Sequence, residues 1–365
     1  MPPAKMPART PAMQLTRATI RVLTRVSASA PASAPASAAA RAAGILGRWA
    51  CASAAAIAIA AAPAAAAQPK YPDKPIRLVV NFPAGGPLDI LARTVGDKLQ
   101  AALGQPVVVE NKPGAGGNIG AALVAESAPD GHTVLVTIDT PLTINPGVYK
   151  SLPFKLEALA PVMTLASSGL MIGTHPGVGA KQLHDLVDKG RKEAITFSNA
   201  GNGSPGHMAA SILASATGVK ANHILYRGNA PAVLAIVSGE VQAGILATPG
   251  LLPQVKDGRI MPLAVTSPRR SSLAPDVPTV AEAGLPDLAF EVLYVALVPA
   301  ATPPSVVTVL AKALGEALAQ PDVKTRLAGL DMDVLAETGA AAAARLGKLR
   351  QRYGETIRAT GMQVE

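Results

Sequence analysis

Two kinds of residue are scarce in this 365-residue chain: cysteine throughout, and acidic residues over the first 67 positions. The only cysteine is Cys51, so a chain that loses its first 67 residues has no thiol. Such a chain forms no disulfide, has no cysteine nucleophile and builds no thiolate metal site. No Asp or Glu precedes Gln68, which sets the N-terminal segment apart from the rest of the sequence.

The first 67 residues have the order typical of a secretory signal peptide. Seven basic residues precede the short apolar run 50–62, and the small residues 65–67 follow it. The apolar run is too short and too rich in alanine to predict a membrane span. We therefore expect residues 1–67 to be a signal peptide with a disordered N-terminus, cleaved near Ala67, and the remainder to be periplasmic. The alternative is a disordered Ala/Ser/Pro tail on a cytosolic protein.

The charge of the whole chain, +9, comes mostly from this segment. Without its seven basic residues, the 33 Lys and Arg fall to 26, against 24 Asp and Glu. A net charge near +2 gives no argument for binding nucleic acid, so we expect no nucleic-acid partner.

About 298 residues follow position 67, enough for two domains. Apolar runs such as 76–80 and 133–137 predict strands, and they alternate with segments of helical spacing such as 89–103. Strands that alternate with helices predict mainly parallel sheets, whose ligands bind beyond the carboxyl ends of the strands. The long apolar strand 290–298 is a candidate for crossing between the domains.

The loop 81–89 follows the first predicted strand and contains the adjacent glycines Gly85 and Gly86. Glycines let the backbone approach a ligand, and the N–H groups and dipole of the following helix favour an anion. We interpret Asp89 as the N-cap of that helix in preference to a ligand contact, because its carboxylate would repel an anionic ligand.

Two further loops end predicted strands. In the loop 137–141, the hydroxyls of Thr137 and Thr140 can hold a carboxylate directly or through water, although an ordinary turn is the alternative. In the loop 198–207, Ser204 as N-cap and Pro205 at the first helical position predict a second anion-ready helix start. His207, in the first turn, is expected to be structural.

The third loop also contains a G-x-G-x-x-G pattern, formed by Gly201, Gly203 and Gly206. A dinucleotide site is one interpretation, and Arg227 would then take a 2′-phosphate. The next strand lacks the usual acidic residue, and a protein exported unfolded has no NADP supply. A ligand carboxylate is therefore the preferred partner for Arg227.

Other chemistry fits the sequence poorly. The five histidines have no metal-ligand spacing, and no G-x-S-x-G nucleophile motif surrounds Ser204 because Asn202 stands where its first glycine belongs. We expect no catalytic residues, no metal and no cofactor, so the chain is predicted not to be an enzyme.

The motifs together resemble the substrate-binding proteins of tripartite tricarboxylate transporters, the Bug family. The resemblance covers the segments 71–80 (YPDKPIRLVV), 82–86 with Asp89 and Arg93, 109–120 (VENKPGAGGNIG), 144–146, 200–204, 264–267 and 276–284. It implies a type II periplasmic binding-protein fold, with two doubly wound α/β domains joined by crossover strands around a central cleft. The implied boundaries are 68–172 with 293–365 for domain 1, and 173–292 for domain 2.

The resemblance also implies which residues bind the ligand. The first domain would hold a carboxylate, partly through waters, and the second would close over it. The expected ligand-binding residues are Phe82, Ala84, Gly85, Gly86, Asp89, Thr137, Thr140, Ala200, Gly201, Asn202, Gly203, Ser204, Tyr226, Arg227 and Leu246.

The chain departs from the family pattern at several of these positions. Leu88 replaces a small polar residue, and the loop after Thr137 lacks the usual serine/glycine run. Leu246 and Ala247 stand where many members carry an Asp-Asn pair. An amino-acid ligand, whose ammonium group needs an acid near Leu246, is disfavoured, and a more apolar or aromatic carboxylate gains support.

The function implied is extracytoplasmic capture of a small carboxylate, either a di- or tricarboxylate or an aromatic or apolar carboxylic acid. Hinge closure would bury the ligand, and the protein, expected to be a monomer, would dock on membrane transporter subunits. One alternative is a ligand-delivery protein for a two-component sensor. The other is an exported enzyme on the same fold.

Overall fold

The computed structural model describes residues 71–363, so the predicted signal peptide lies outside the described residues. Strands and helices alternate along this range and build two sheets. The strands are β1 Ile76–Val80, β2 Val107–Asn111, β3 Thr133–Ile138, β4 Leu159–Ser168, β5 Leu170–Thr174, β6 Ile195–Asn199, β7 Ala221–Leu225, β8 Ala243–Ala247, β9 Met261–Val265, β10 Val292–Pro299 and β11 Met332–Thr338.

The helices cover and connect these strands. They are α1 Pro87–Leu103, α2 Asn118–Ala125, α3 Thr140–Thr143, α4 Asn145–Val148, α5 Leu183–Lys192, α6 Pro205–Thr217, α7 Asn229–Val237, α8 Thr248–Lys256, α9 Pro304–Ala319, α10 Pro321–Ala328 and α11 Gly339–Thr360. None of the helices between residues 71 and 363 has the length and apolar character needed to cross a membrane.

The first sheet has six strands in the order β11-β4-β10-β3-β1-β2. β1 pairs in parallel with β2 and β3, so the loops that follow β1 and β3 emerge at the same edge. Helix α1 buries Leu91, Val95 and Leu99 at the spacing of one helical face and packs on β1 and β2. This packing fixes the start of α1 beside that edge.

The second sheet has five strands in the order β7-β6-β8-β5-β9. β6 is parallel to β7 and β8, but β5 runs antiparallel to β8 and β9. In the first sheet, β10 is likewise antiparallel to β3 and β4. The prediction of mainly parallel sheets was therefore wrong: both sheets are mixed, because a chain that crosses between the sheets and returns inserts strands of reversed direction.

The chain crosses between the sheets at Gly169 and returns just after Phe290. Thr266 ties both crossings together: its Oγ1 accepts from the Leu170 N–H at 2.8 Å and donates to the Phe290 carbonyl at 2.7 Å. An added Cβ at Gly169 would lie 2.8 Å from Ser267 Cβ, so only glycine allows this close approach. Thr266 and Gly169 thus hold the two crossings close together, and the domain boundaries near 172 and 293 stay a prediction.

Several elements differ from the sequence-based expectation. Helix α1 begins at Pro87, two residues earlier than predicted, and the three helices α9, α10 and α11 follow β10. β4, β11 and α8 were not predicted. β4 contains Pro161, which lies opposite Leu297 where the pairing register shifts. A proline donates no ladder hydrogen bond, so this strand depends on its partners more than on its own pattern.

Candidate functional site

A cleft of about 720 Å³ lies between the two sheets and receives residues from both. The first lobe, defined here as the part built on the first sheet, contributes its β1–α1 loop and the ends of β3, β4 and β10. The second lobe, built on the second sheet, contributes the loops around α6, α7 and α8. Lining residues include Phe82, Ala84, Gly85, Gly86, Leu88, Ile138, Ser168, Tyr294 and Leu330 from the first lobe, and Ala200, Ser204, Arg227, Asn229, Leu234, Leu246 and Gln254 from the second.

The β1–α1 loop forms an anion-ready helix start. Gly86 is the N-cap of α1 and Pro87 occupies its first position, where the missing proline N–H costs no hydrogen bond. Gly85 has φ +81°, a conformation that favours glycine. The N–H groups of Gly86 and Leu88 donate to no described residue. They lie beside the cleft at the positive end of the helix dipole, where a carboxylate is stabilised.

Asp89 holds this loop in shape, and its predicted role as N-cap was wrong. Because α1 starts at Pro87, Asp89 lies in the first turn, buried and outside the cleft lining. Its carboxylate accepts hydrogen bonds from the Gly85 N–H at 2.9 Å, from Arg93 at 2.9 and 3.0 Å, and from Asn111 at 3.0 Å. Burial opposes ionisation, but these donors outweigh it and hold the pKa of Asp89 below its ordinary value.

The loop after β3 contributes little surface to the cleft. Ile138 lines it, whereas Thr137 and Thr140 are buried outside the lining. Thr137 Oγ1 donates to the Ile138 carbonyl at 2.7 Å, and Thr140 Oγ1 has no hydrogen-bond partner among residues 71–363. The structure therefore places both predicted hydroxyls behind the cleft wall.

Asp139, in the same loop, is fully buried and ties the loop to β10. Its carboxylate accepts from Thr143 Oγ1 at 2.8 Å and from the Leu293 N–H at 3.0 Å. Burial raises the pKa of Asp139 to about 6, although both donors favour the charged form. Asp139 is a structural anchor rather than a ligand contact.

The loop before α6 has the helix start that the sequence predicts. The Ser204 side chain accepts from the His207 N–H at 3.3 Å, and Pro205 follows as the first helical residue. Ala200 and Ser204 line the cleft, whereas Gly201, Asn202 and Gly203 do not.

The last glycine of the G-x-G-x-x-G pattern, Gly206, serves packing. A Cβ at this position would collide with the Ile245 carbonyl oxygen of β8. The glycine therefore lets the start of α6 lie directly against the strand.

Arg227 projects from the loop between β7 and α7. It is exposed, and among the described residues that line the cleft it is the only one with a charge. Gly228, with φ +110°, follows as the N-cap of α7. Tyr226 lies outside the lining, and its hydroxyl donates to Glu240 at 2.7 Å. Of these neighbours, Arg227 alone is placed to attract an anion into the cleft.

The rest of the wall is mainly apolar. Leu246 is buried at the back of the cleft on β8, and Leu234, 59% exposed, stands at its edge on α7. Ala247 also lines the wall, so no acid occupies the positions where the family pattern often has Asp-Asn. Such a surface favours a ligand with an apolar body.

Sequence reasoning missed several lining residues, notably Ser168, Tyr294, Asn229 and Gln254. Tyr294 had a usable signal, because side chains two apart on a strand face the same way, and Val292 also lines the cleft. Ser168 had none, since β4 itself was not predicted. Within residues 71–363, no three His, Cys, Asp or Glu residues come together to hold a metal ion.

Two α/β lobes, joined by crossing strands around a cleft with a cationic side chain, define the class of periplasmic solute-binding proteins. The solved structure of periplasmic binding protein BugD has 31% sequence identity and a TM-score of 0.75, covering 81% of this chain and 100% of that chain. A solved protein from R. palustris with adipate has 26% identity and a TM-score of 0.75, covering 80% and 99%. MatC from Rhodopseudomonas palustris with bound malate has 27% identity and a TM-score of 0.73, covering 79% and 100%.

The family is shown by sequence as well. The TctC model, described as "Tripartite tricarboxylate transporter family receptor", matches residues 91–362. Protein BugT of Bordetella pertussis is 33% identical over 299 residues, which is 81% of this chain and 92% of BugT. The chain belongs to the TctC family of tripartite tricarboxylate transporter receptors, and the predicted Bug-family resemblance is confirmed. Its relatives are receptors and binding proteins rather than enzymes, which confirms the prediction of no enzymatic activity.

Proposed function

We propose that this receptor captures a small carboxylate in the cleft and delivers it to the membrane subunits of a tripartite tricarboxylate-type transporter. The observation that carries the proposal is the pairing of two anion-attracting features across one cleft. The first lobe offers the unpaired N–H groups of Gly86 and Leu88, and the second offers Arg227. Two of the similar solved structures contain adipate and malate, and because both are carboxylates they support a carboxylate ligand here.

Binding would proceed by hinge closure. The ligand carboxylate first meets the helix start at Gly86 in the first lobe, where the α1 dipole and the N–H groups stabilise it. Rotation about the crossing at Gly169 and Thr266 then brings Arg227 of the second lobe onto the ligand. Closure excludes water, which strengthens both interactions. The moving bodies would be the segments 68–172 with 293–365, and 173–292.

The proposal extends to location and assembly. The order of the first 67 residues supports export by a signal peptide cleaved near Ala67, and the relatives include a periplasmic binding protein. The protein would work as a monomer in the periplasm and present its closed, loaded form to the transporter. Of the predicted ligand-binding residues, Phe82, Ala84, Gly85, Gly86, Ala200, Ser204, Arg227 and Leu246 would contact the ligand, because these line the cleft.

Isothermal titration of the purified protein against mono-, di- and tricarboxylates, aromatic acids and amino acids tests this proposal. We expect a carboxylate to bind without turnover, and Arg227→Ala to weaken it roughly 10- to 100-fold, the value of a charge-assisted hydrogen bond. Arg259→Ala, an exposed arginine of the same lobe outside the lining, is the matched control and should bind normally. Equal affinities for both variants would refute the role of Arg227 as the ligand's cation.

A further inference from the structure

The polar side chains of the cleft include one cation and no anion among the described residues. Arg227 is its only charged residue within the described range, and its other polar side chains, including Ser168, Tyr294, Asn229 and Gln254, are neutral. Arg227 and the helix start at Gly86 can neutralise one carboxylate. A second carboxylate or an ammonium group on the ligand would be buried on closure without an opposite charge, which is unfavourable.

A neutral polar pair lies in the floor of this cleft. Ser168 ends β4 and Tyr294 lies on the adjacent β10, and both are nearly fully buried, at 5% and 3% exposure. Their hydroxyl oxygens are 3.1 Å apart, and either can be the donor. Both residues line the cleft, next to the crossing at Gly169. The pair is thus a buried polar feature that β4 and β10 contribute to the cleft lining.

One of the two hydroxyl hydrogens in this pair is free to bond to a ligand. Each hydroxyl carries one hydrogen, and one of the two is used between Ser168 and Tyr294. Neither hydroxyl has another hydrogen-bond partner among the residues from 71 to 363. Burial raises the pKa of Tyr294 to about 12, so the phenol keeps its proton at any physiological pH. The pair can therefore always donate one hydrogen bond, and it cannot neutralise a charge.

We propose that the Ser168–Tyr294 hydroxyl pair determines ligand specificity: it selects a monocarboxylate whose far end carries a neutral oxygen, such as a hydroxyl or carbonyl group. This inference rests on the proposed function, because it takes the carboxylate to be held by Arg227 and the helix start at Gly86. The apolar wall around Leu246 then receives the carbon skeleton between the two polar ends.

Four acids with six carbons each differ only in the group at the far end from the first carboxylate: hexanoate, 6-hydroxyhexanoate, 6-aminohexanoate and adipate. Their affinities test which far-end group the cleft selects. Benzoate, 4-hydroxybenzoate and terephthalate form a matching aromatic set. Within the set that binds, we expect the hydroxy acid to bind about threefold to tenfold more tightly than its unsubstituted parent, which is the value of one neutral hydrogen bond. The hydroxy acid should also bind at least about tenfold more tightly than the dicarboxylate or amino acid of its set, which carry a second charge.

Tyr294→Phe and Ser168→Ala made together should abolish the advantage of the hydroxy acid over its parent. Either substitution alone leaves one hydroxyl with a free hydrogen, so each single variant should keep part of that advantage. Tyr353→Phe is the control: this tyrosine is also buried, but it lies outside the cleft lining and donates to the Glu291 carbonyl. Unfolding temperatures without ligand would show that each variant is folded.

The outcomes separate the two proposals. Tightest binding of the dicarboxylate in either set overturns the specificity inference, as does an advantage of the hydroxy acid that survives Tyr294→Phe and Ser168→Ala made together. If neither set binds but another carboxylate does, the specificity inference fails and the proposed function stands. If no carboxylate of the wider panel binds, the proposed function fails and the inference fails with it. Binding that does not respond to Arg227→Ala removes the premise of the inference that Arg227 holds the carboxylate.

Discussion

The carboxylate of Asp89 organises the β1–α1 loop, which we propose binds the ligand carboxylate, and Asp89→Asn tests this directly. The variant keeps the shape of the side chain but removes its charge and replaces one acceptor oxygen with an NH₂ group. The donors now on Asp89 are the Gly85 N–H, Arg93 and Asn111, at 2.9 to 3.0 Å for the closest contact of each. At least one of them would face the new NH₂ group and lose its acceptor.

The expected loss of stability is about 2 kcal/mol. A buried donor without an acceptor costs about 1 to 3 kcal/mol. The ion-pair contribution is small, because the Arg93 side chain is 52% exposed and water screens it. The loop would also lose the bond that orients Gly85, so we expect the affinity for a carboxylate ligand to fall along with the stability.

The effect should depend on pH in a defined direction. The folded-state pKa of Asp89 lies below its ordinary value of 3.8, so the unfolded state binds the proton more readily. The stabilisation is therefore fully present above pH 4 and is lost as the pH falls through the lowered pKa. Urea unfolding at pH 7 and at pH 3 should show that the difference between wild type and Asp89→Asn narrows at the lower pH.

Asp97→Asn, an exposed acid on the same helix, is the matched control and should change the stability by less than about 0.5 kcal/mol. The reasoning is refuted if Asp89→Asn behaves like this control at pH 7. It is also refuted if the variant is destabilised but binds the ligand with unchanged affinity, because Asp89 would then support the helix without organising the loop.

Two further predictions concern the loop after β3 and the hinge. Burial raises the folded pKa of Asp139 to about 6, above its ordinary value of 3.8. The contribution of Asp139 to the free energy of unfolding should therefore be largest below pH 4 and decline by up to about 3 kcal/mol as the pH rises to 6. Urea unfolding across this range should show a flatter dependence of stability on pH for Asp139→Asn, and an unchanged slope would contradict the assignment. Thr266→Val removes the hydroxyl that joins Leu170 and Phe290 and should destabilise the protein by about 1 to 3 kcal/mol. The exposed Thr308→Val serves as its control, and equal unfolding midpoints for the two variants would show that the hinge does not depend on this bond.

Local sequence patterns were sufficient for much of the first lobe and for the family. The apolar run of β1, the helical spacing of α1 and the Ser204-Pro205 helix start each depend on neighbours within one turn or one strand. The glycine pair at Gly85 and Gly86 predicted a loop that leads into a helix start for the same local reason, and the helix starts there. Such features follow from backbone preferences that a short segment carries with it.

The same local reasoning failed where a residue's role depends on a distant partner. Asp89 looked like an N-cap from its position beside the helix, yet its carboxylate is satisfied partly by Asn111, 22 residues away. Thr137 and Thr140 were expected to be ligand groups because they follow a strand, but the structure buries both outside the cleft lining.

The sequence by itself determined the alternation of strands and helices, the membership of the TctC family and the presence of Leu246 and Ala247 where many members carry an Asp-Asn pair. Only the tertiary structure decided the mixed strand directions, the bonds of Thr266 to the two crossings and the meeting of Ser168 with Tyr294, which are 126 residues apart. The physical reason is that periodicity and capping act within a few residues. Strand order and register, in contrast, are set by the burial of whole sheets, and they bring together side chains whose proximity no local pattern specifies.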